Sequence, residues 1–326
     1  MLRFAFRKTV HFVLLLAAVA ALAFALASAS PVDPVNAYVG ADQMRVGPEQ
    51  RAAIAARWGL DKPPAERFAR WLGNVARGDW GESLIHREPV TTVIARRFWP
   101  SLALMGGAWI LSGFLGFGLG LIAGLHRGGW TDRLISGYAY LLASTPTFWL
   151  GILLLTLFSV QLGWAPICCA TPPGVPLGDA TLAERLYHLM LPVATLSVVG
   201  VAAVVMHTRR KTIDVLKTDF AVFSLAQGET RGGFVLRQGF PHIAIPALTV
   251  HLASFGELFG GSILAEQVFS YPGLGKAAVD AGIRQDIPLL LGIALASAVF
   301  IFAGNLLADI LHRRLDPRLR TEGAPV

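Results

Sequence analysis

From Val10 to Ala29 the chain is an almost unbroken apolar run, and comparable runs recur at about 99–125, 134–160, 186–206, 243–268 and 288–310. A helix needs about 20 such residues to cross the hydrocarbon core of a bilayer. Backbone in lipid must also satisfy its own hydrogen bonds, which restricts the fold to helices or a closed barrel. The runs are continuous and do not alternate, so they predict helices and argue against a barrel. Charged residues make up only 15% of the chain, where a soluble domain carries nearer a quarter. The expected fold is an all-α polytopic membrane protein with six transmembrane helices.

Charge placement orients the spans. Arg3, Arg7 and Lys8 precede the first run, so residues 1–29 read as a cytoplasmic N-terminus and the first helix. The run ends in ALASAS, which also resembles a signal-peptidase site, so cleavage there is an open alternative. Residues 30–98 are polar, with helical pieces expected near 48–59 and 64–77. Their ten Lys/Arg are balanced by eight Asp/Glu, and long segments translocate largely regardless of charge. This segment reads as a small extracytoplasmic subdomain inserted after the first helix. His126, Arg127 and Arg133 mark a cytoplasmic loop, whereas 161–185 is turn-rich, nearly free of positive charge and expected outside. Loop 207–242 is the most basic connection and is expected inside, and the basic tail 311–326 is cytoplasmic too. Residues 99–310 then form a five-helix core with both termini of the chain inside.

The net charge of +7 lies at span ends and not in a stripe interleaved with aromatics, so it argues for membrane lipid as a neighbour and against nucleic acid. The two cysteines, Cys168 and Cys169, are adjacent. They have no zinc-ligand spacing. They read as small loop residues, with a vicinal disulfide or a metal contact as the alternatives. No cofactor or metal is expected. In the second span, Ser112, Gly116, Gly120 and Gly124 line one helix face. Small residues at that spacing let another backbone approach, either in a subunit interface or within the bundle.

The stretch from Ile213 to Pro246 places some thirty amphipathic residues between two spans, and solvation gives no reason for it. Asp219 is a suitable N-cap and Gly228 a suitable stop. Between them Phe220, Phe223 and Ala226 fall on one helix face. A short helix with an exposed aromatic stripe suits a groove on a partner, or alternatively the lipid headgroup layer. No G-x-x-x-x-G-K-[ST] loop occurs in the chain, so an active transporter of this sequence must take its energy from a partner or an ion gradient.

These residues resemble the permease subunits of binding-protein-dependent ABC importers, in the dipeptide/oligopeptide/nickel branch. Ser224, Leu225 and Ala226 stand at the positions of that family's EAA loop, Gly228 at its glycine, and Ile245–Pro246 at its end. The lead-in DVLKTDF, the pair Glu266 and FSYPGLG, and the tail LDPRLR are similar to its other signatures. So are WGLDKP (58–63), GDWGES (78–83), STPTFW (144–149) and LGWAP (162–166), and the ordered set spans nearly the whole chain. Departures cluster in the loop: Val222, Leu225 and Gly233 replace residues that are often basic, Pro241 falls inside the docking element, and Met206 replaces a common Arg while Arg209 keeps another.

The resemblance implies an ABC type I importer-like bundle in the bacterial inner membrane, non-catalytic itself. It would work with two cytoplasmic ABC ATPases, a second permease subunit and an extracytoplasmic substrate-binding protein. Its substrate would be a small peptide or a related solute such as nickel or a metal chelate. The loop would couple to the ATPases through Asp219, Phe220, Phe223, Ser224, Leu225, Ala226, Gly228, Ile245 and Pro246. The outer loop, with Glu266, Tyr271, Pro272, Gly273 and Gly275, would help receive the binding protein. On its own residues, that loop reads equally as a turn built on Pro272 and Gly273.

Glu257 is the one carboxylate placed well inside a span. At bilayer depth it costs about 2.5–3.5 kcal/mol, so it should face the bundle or a wet cavity. It is a candidate for the translocation path, with an interhelical hydrogen bond as the alternative. An ion-coupled secondary transporter is the rival class, since Glu257 and the mid-span Pro146 could serve an ion site. HExxH and G-x-S-x-G are both missing, which argues against an intramembrane hydrolase.

Overall fold

The computed structural model describes residues 2–29, 47–50, 53 and 62–315. The motif WGLDKP, the expected helix at 48–59 and the tail motif LDPRLR therefore lie wholly or largely outside the described residues. Within them the chain is helical throughout, with one isolated bridge between Glu82 and Pro89.

Two compact units divide the chain. One holds the described residues up to Trp99 together with Gly273–Phe302; the other holds Pro100–Pro272 and the described residues from Ala303.

In the first unit, α1 (Leu2–Ser28) carries the first apolar run and α2 (Pro64–Ala76) packs on its end. Phe24 of α1 meets Phe68 and Trp71 of α2 at ring distances of 5.3 and 5.9 Å. The GDWGES segment then turns tightly, using left-handed backbone at Gly78 (φ +89°) and Gly81 (φ +81°). It leads into α3 (Val90–Leu125), which begins nine residues before the expected span because Val90 and Val93 are buried in a local core. That core includes Leu274, Ala277 and Ala281 of α11 (Leu274–Ile283) and Leu289 and Ile293 of α12 (Ile287–Leu315). Asp286 anchors it: fully buried, its carboxylate accepts from Ser83 Oγ (2.6 Å), Ile85 N (3.0 Å) and Leu289 N (3.1 Å). The last of these makes Asp286 the N-cap of α12.

The second unit is built from the rest of α3, α4 (Trp130–Ala143), α5 (Thr147–Leu154, continued by a π turn at Leu155–Gln161) and α6 (Leu182–Val215). It is completed by α7 (Asp219–Ala226), α8 (Arg231–Phe234), α9 (Phe240–Ala253) and α10 (Phe255–Val268). Ser112 and the glycines of α3 pack against α6 within this chain: a Cβ at Gly120 would lie 2.6 Å from Val205 O, and one at Gly124 would lie 2.5 Å from Thr212 Cβ. The small-residue stripe is therefore bundle packing, in which two backbones meet because no side chain separates them.

Three helices are long and apolar enough to cross a membrane alone: Phe6–Ser28, Val90–Leu125 and Ile287–Leu311. Three bent pairs raise the number to as many as six among the described residues. They are Trp130–Ala143 with Thr147–Gln161 (108°), Leu182–Val198 with Gly200–Val215 (48°) and Arg231–Ala253 with Phe255–Val268 (51°). The sharpest bend is at Pro146, where Ser144 Oγ and Thr145 Oγ1 donate to the carbonyls of Tyr140 and Leu141 at the end of α4. This re-satisfies backbone that the break sets free.

Candidate functional site

The stretch between α6 and α9 folds as a compact hairpin of short helices. Thr218 caps α7, its hydroxyl accepting from Ala221 N at 3.4 Å. Asp219, expected as the cap, instead occupies the first turn, because Thr218 already has the extended backbone that a cap needs. A carboxylate there complements the positive end of the helix. Gly228 ends the helix in the left-handed region at φ +94°. Gly228 N donates to Leu225 O (3.0 Å) and Glu229 N to Ser224 O (3.3 Å), the paired bonds of a Schellman C-cap.

The two faces of α7 differ. Ala221 is fully buried with Phe234, Val235 and Ile243, against Phe117, Leu121 and Leu125 of α3 and Val215 and Leu216 at the end of α6. Ser224 also faces inward and donates its hydroxyl to Glu229, whose carboxylate accepts a second bond from Gln238 Nε2 at 3.0 Å. Glu229 thus staples α7 to the residues after α8. The outer face carries Phe220 (52% exposed), Val222, Phe223 (65% exposed) and Ala226. Phe220 is held edge-on to Phe234, 5.3 Å between ring centres. Leu225 is half-buried, and Ile245 and Pro246 lie within α9, both half-buried. Pro241 sits in the first turn of α9, just after the π turn Val235–Gly239, where a proline is tolerated because its missing N–H costs no helical bond.

Close by, Arg209 of α6 pairs with the buried Asp132 of α4. Asp132 also accepts from Gly128 N (2.9 Å) and Ser136 Oγ (3.3 Å). Deeper in this unit, His251 stacks on Trp109 at 4.4 Å. Each donates to the other's carbonyl: Trp109 Nε1 to His251 O (3.1 Å) and His251 Nε2 to Trp109 O (3.0 Å).

Glu257 lies in the first turn of α10, exposed, on one face with Ala253, Gly260 and Leu264. Its carboxylate has no hydrogen-bond partner among the described residues, so the interhelical bond held open above is not formed among them. Glu266, nine residues on, is fully buried and accepts from Ser101 Oγ at 2.5 Å. Its carbonyl takes Tyr271 N at 2.8 Å and closes the turn before Pro272. Burial, with the Glu266 carboxylate beside it, pushes the Tyr271 hydroxyl up to about 12, so the phenol stays neutral. Gly273 and Gly275 belong to the first unit, where Gly273 precedes α11 and Gly275 is buried within it. Among the described residues there is no cluster of three metal-ligating side chains.

Comparison with known proteins identifies this set of elements. Residues 116–321 match the family described as binding-protein-dependent transport system inner membrane component, and residues 1–105 match that family's N-terminal region. The chain is a binding-protein-dependent permease. Similar proteins include the oligopeptide transport system permease AppB of Bacillus subtilis (strain 168), 29% identical over 96% of this chain and 98% of that protein. The di/tripeptide permease DppB of Pseudomonas aeruginosa (strain UCBPP-PA14) is 33% identical over 92% of this chain and 93% of its own. The glutathione permease GsiC of Escherichia coli (strain K12) is 33% identical over 98% and 99%. Among solved structures, the inward-facing MetNI methionine ABC transporter matches with a TM-score of 0.55 and 16% identity, over 69% of this chain and 97% of that one. That likeness concerns the fold alone.

As a permease of this family, the chain is a multi-pass inner-membrane transport subunit without catalysis of its own. Systems of this kind also use an ATPase and a substrate-binding protein. Asp132, Glu229, Asp286 and the pairing of Trp109 with His251 are not legible in the sequence. Each acts through a partner distant in the chain or through a tight turn, and a lone polar residue in a sequence carries neither signal.

Proposed function

We propose that this permease imports short peptides, paired with a second permease subunit and driven by two cytoplasmic ATPases that seat on α7. The names of these relatives support the substrate class: oligopeptide, di/tripeptide and glutathione permeases. Family membership replaces the ion-coupled alternative. The observation that carries the coupling role is the two-sided character of α7. Its outer face offers Phe220, Val222 and Phe223 to a groove, while Ala221 roots it in the ends of α3, α6 and α9 and Ser224 ties it to Glu229. Force on the aromatic face is then passed to packed helices rather than dissipated in a loop.

The orientation follows the basic residues. Arg209, Arg210, Lys211, Lys217, Arg231 and Arg237 place 207–242 in the cytoplasm, together with both termini, and leave 30–98, 161–185 and 269–287 outside. The outer turn at Glu266–Tyr271 then meets the binding protein. The exposed, unpaired Glu257 faces the translocation path between the two permease subunits, where water or a substrate ammonium group replaces lipid. The test is uptake of a radiolabelled tripeptide into proteoliposomes holding the assembled transporter with internal ATP. Uptake that needs ATP and is lost in Phe223→Asp supports the reading; uptake indifferent to ATP refutes it.

A further inference from the structure

Cys168 and Cys169 are joined to each other by a disulfide, with Cα atoms 3.8 Å apart, in the loop between α5 and α6. The pair is half-buried and takes no part in the coupling role argued above. Cys169 has left-handed backbone, φ +75°, a conformation that side chains other than glycine rarely adopt. In it, Cys169 N donates to Phe269 O at 3.0 Å. Cys168 O accepts from His188 Nδ1 at 3.0 Å. Phe269 is itself buried and is followed by Ser270, again left-handed at φ +47°; both lie within the turn that Tyr271 N closes on Glu266 O. The disulfide ring therefore holds one left-handed residue in place to bond Phe269, which lies inside the Glu266–Tyr271 turn assigned above to binding-protein contact.

We propose that Cys168–Cys169 is a thiol–disulfide exchange site on the outer face, with dithiols as its reaction partners, and that its oxidised form is what fixes the Glu266–Tyr271 turn for substrate delivery. The proposal rests on the orientation given above, which puts the pair in an oxidising compartment where disulfides persist. One thiolate of a dithiol attacks a ring sulfur, the Cys168–Cys169 bond breaks and a mixed disulfide forms. The reagent's second thiolate then displaces the protein sulfur. The dithiol is oxidised to its disulfide, and its two electrons and two protons leave Cys168 and Cys169 as thiols. With the ring open, Cys169 loses the covalent restraint on its positive φ. It relaxes, and the bond to Phe269 O is lost. The adjoining Ser159 Oγ–Pro166 O (3.0 Å) and Trp164 N–Phe158 O (2.8 Å) bonds keep the rest of the loop in place, so the change stays local.

The experiment uses the assembled transporter with its binding protein in right-side-out vesicles. Peptide mapping of unreduced protein by mass spectrometry should find the two cysteines disulfide-bonded. After dithiothreitol, a membrane-impermeant maleimide should label both. Uptake should fall roughly two- to tenfold, the scale of one lost hydrogen bond and its turn, and recover on reoxidation. The doubly substituted Cys168→Ala, Cys169→Ala protein should stay at the reduced level with or without dithiol. Free thiols in untreated protein overturn the proposal, as does an equal response to dithiol in wild type and double variant. Labelling confined to inverted vesicles overturns the outer-face placement, and that result is separable from a failure of peptide uptake.

Discussion

Arg209 holds Asp132 through two nitrogens of one guanidinium edge, Nη2 lying 2.8 Å from Oδ2 while Nε binds Oδ1. The pair ties α4 to α6 a few residues before α6 gives way to α7. Beside it, Gly120 and Gly124 bring α3 against Val205, Arg209 and Thr212 of the same helix. Helices α3, α4 and α6 are thereby joined at the end that supports α7. Asp132→Ala leaves Arg209, Gly128 N and Ser136 without their acceptor and should cost about 2–4 kcal/mol. Thermal unfolding in detergent measures this. The Asp132→Arg, Arg209→Asp exchange should recover part of the loss, which a merely local packing defect would not.

Gly120→Val should prevent proper assembly of the bundle. Its Cβ would sit 2.6 Å from a backbone oxygen that cannot move aside without bending α6. Overpacking of this kind costs about 1–3 kcal/mol or more. Gly118→Ala, two residues away with nothing within 4 Å of its Cβ, should unfold at the wild-type temperature.

Phe223→Ala should leave stability within about 0.5 kcal/mol of wild type, since the ring is exposed in the isolated chain. It should nonetheless reduce ATPase retention and peptide uptake by about tenfold or more, as loss of an aromatic anchor does. Ala221→Leu should do the opposite, disturbing the fold first, because Ala221 is enclosed by Phe234, Val235 and Ile243.

Gly228→Val forces a β-branched residue to φ +94° and should cost about 1–3 kcal/mol locally. The helix would lose its Schellman cap, and Glu229 would be drawn off Ser224. Uptake should fall while the spans stay folded, which hydrogen exchange of α7 against α6 would show.

Glu257→Gln should keep the fold and change transport. The group has no partner within the described chain, so removing its charge leaves no acceptor or donor stranded. A several-fold change in tripeptide uptake at constant ATPase binding is the expected result, measured as initial rates in proteoliposomes.

Apolar run length, the basic loops and the motifs around Gly228 and FSYPGLG were enough to read an all-helical permease from the sequence, with a helix over 219–228 that folds as Asp219–Ala226. Run length works because a bilayer imposes one dimension on every span, and Gly228 is legible because few residues tolerate its backbone. The glycine stripe at 116–124 announced close packing but not its partner, since either α6 or a second subunit meets the same steric requirement. Asp219 was displaced from the cap by its neighbour Thr218, a shift of one residue that two capable side chains in succession cannot resolve. Asp132 and Asp286 gave no signal, for their partners Arg209 and Ser83 lie far off in the chain and only the folded backbone brings them together.

On the proposed mechanism, transport is powered through the exposed face of α7. Replacing Phe223 with a benzophenone-bearing analogue and illuminating the assembled transporter tests it most directly. The account predicts one dominant crosslink, to a nucleotide-hydrolysing subunit, with uptake abolished in proportion to its yield. Crosslinks to lipid alone, with peptide still crossing when no ATPase is present, would contradict it.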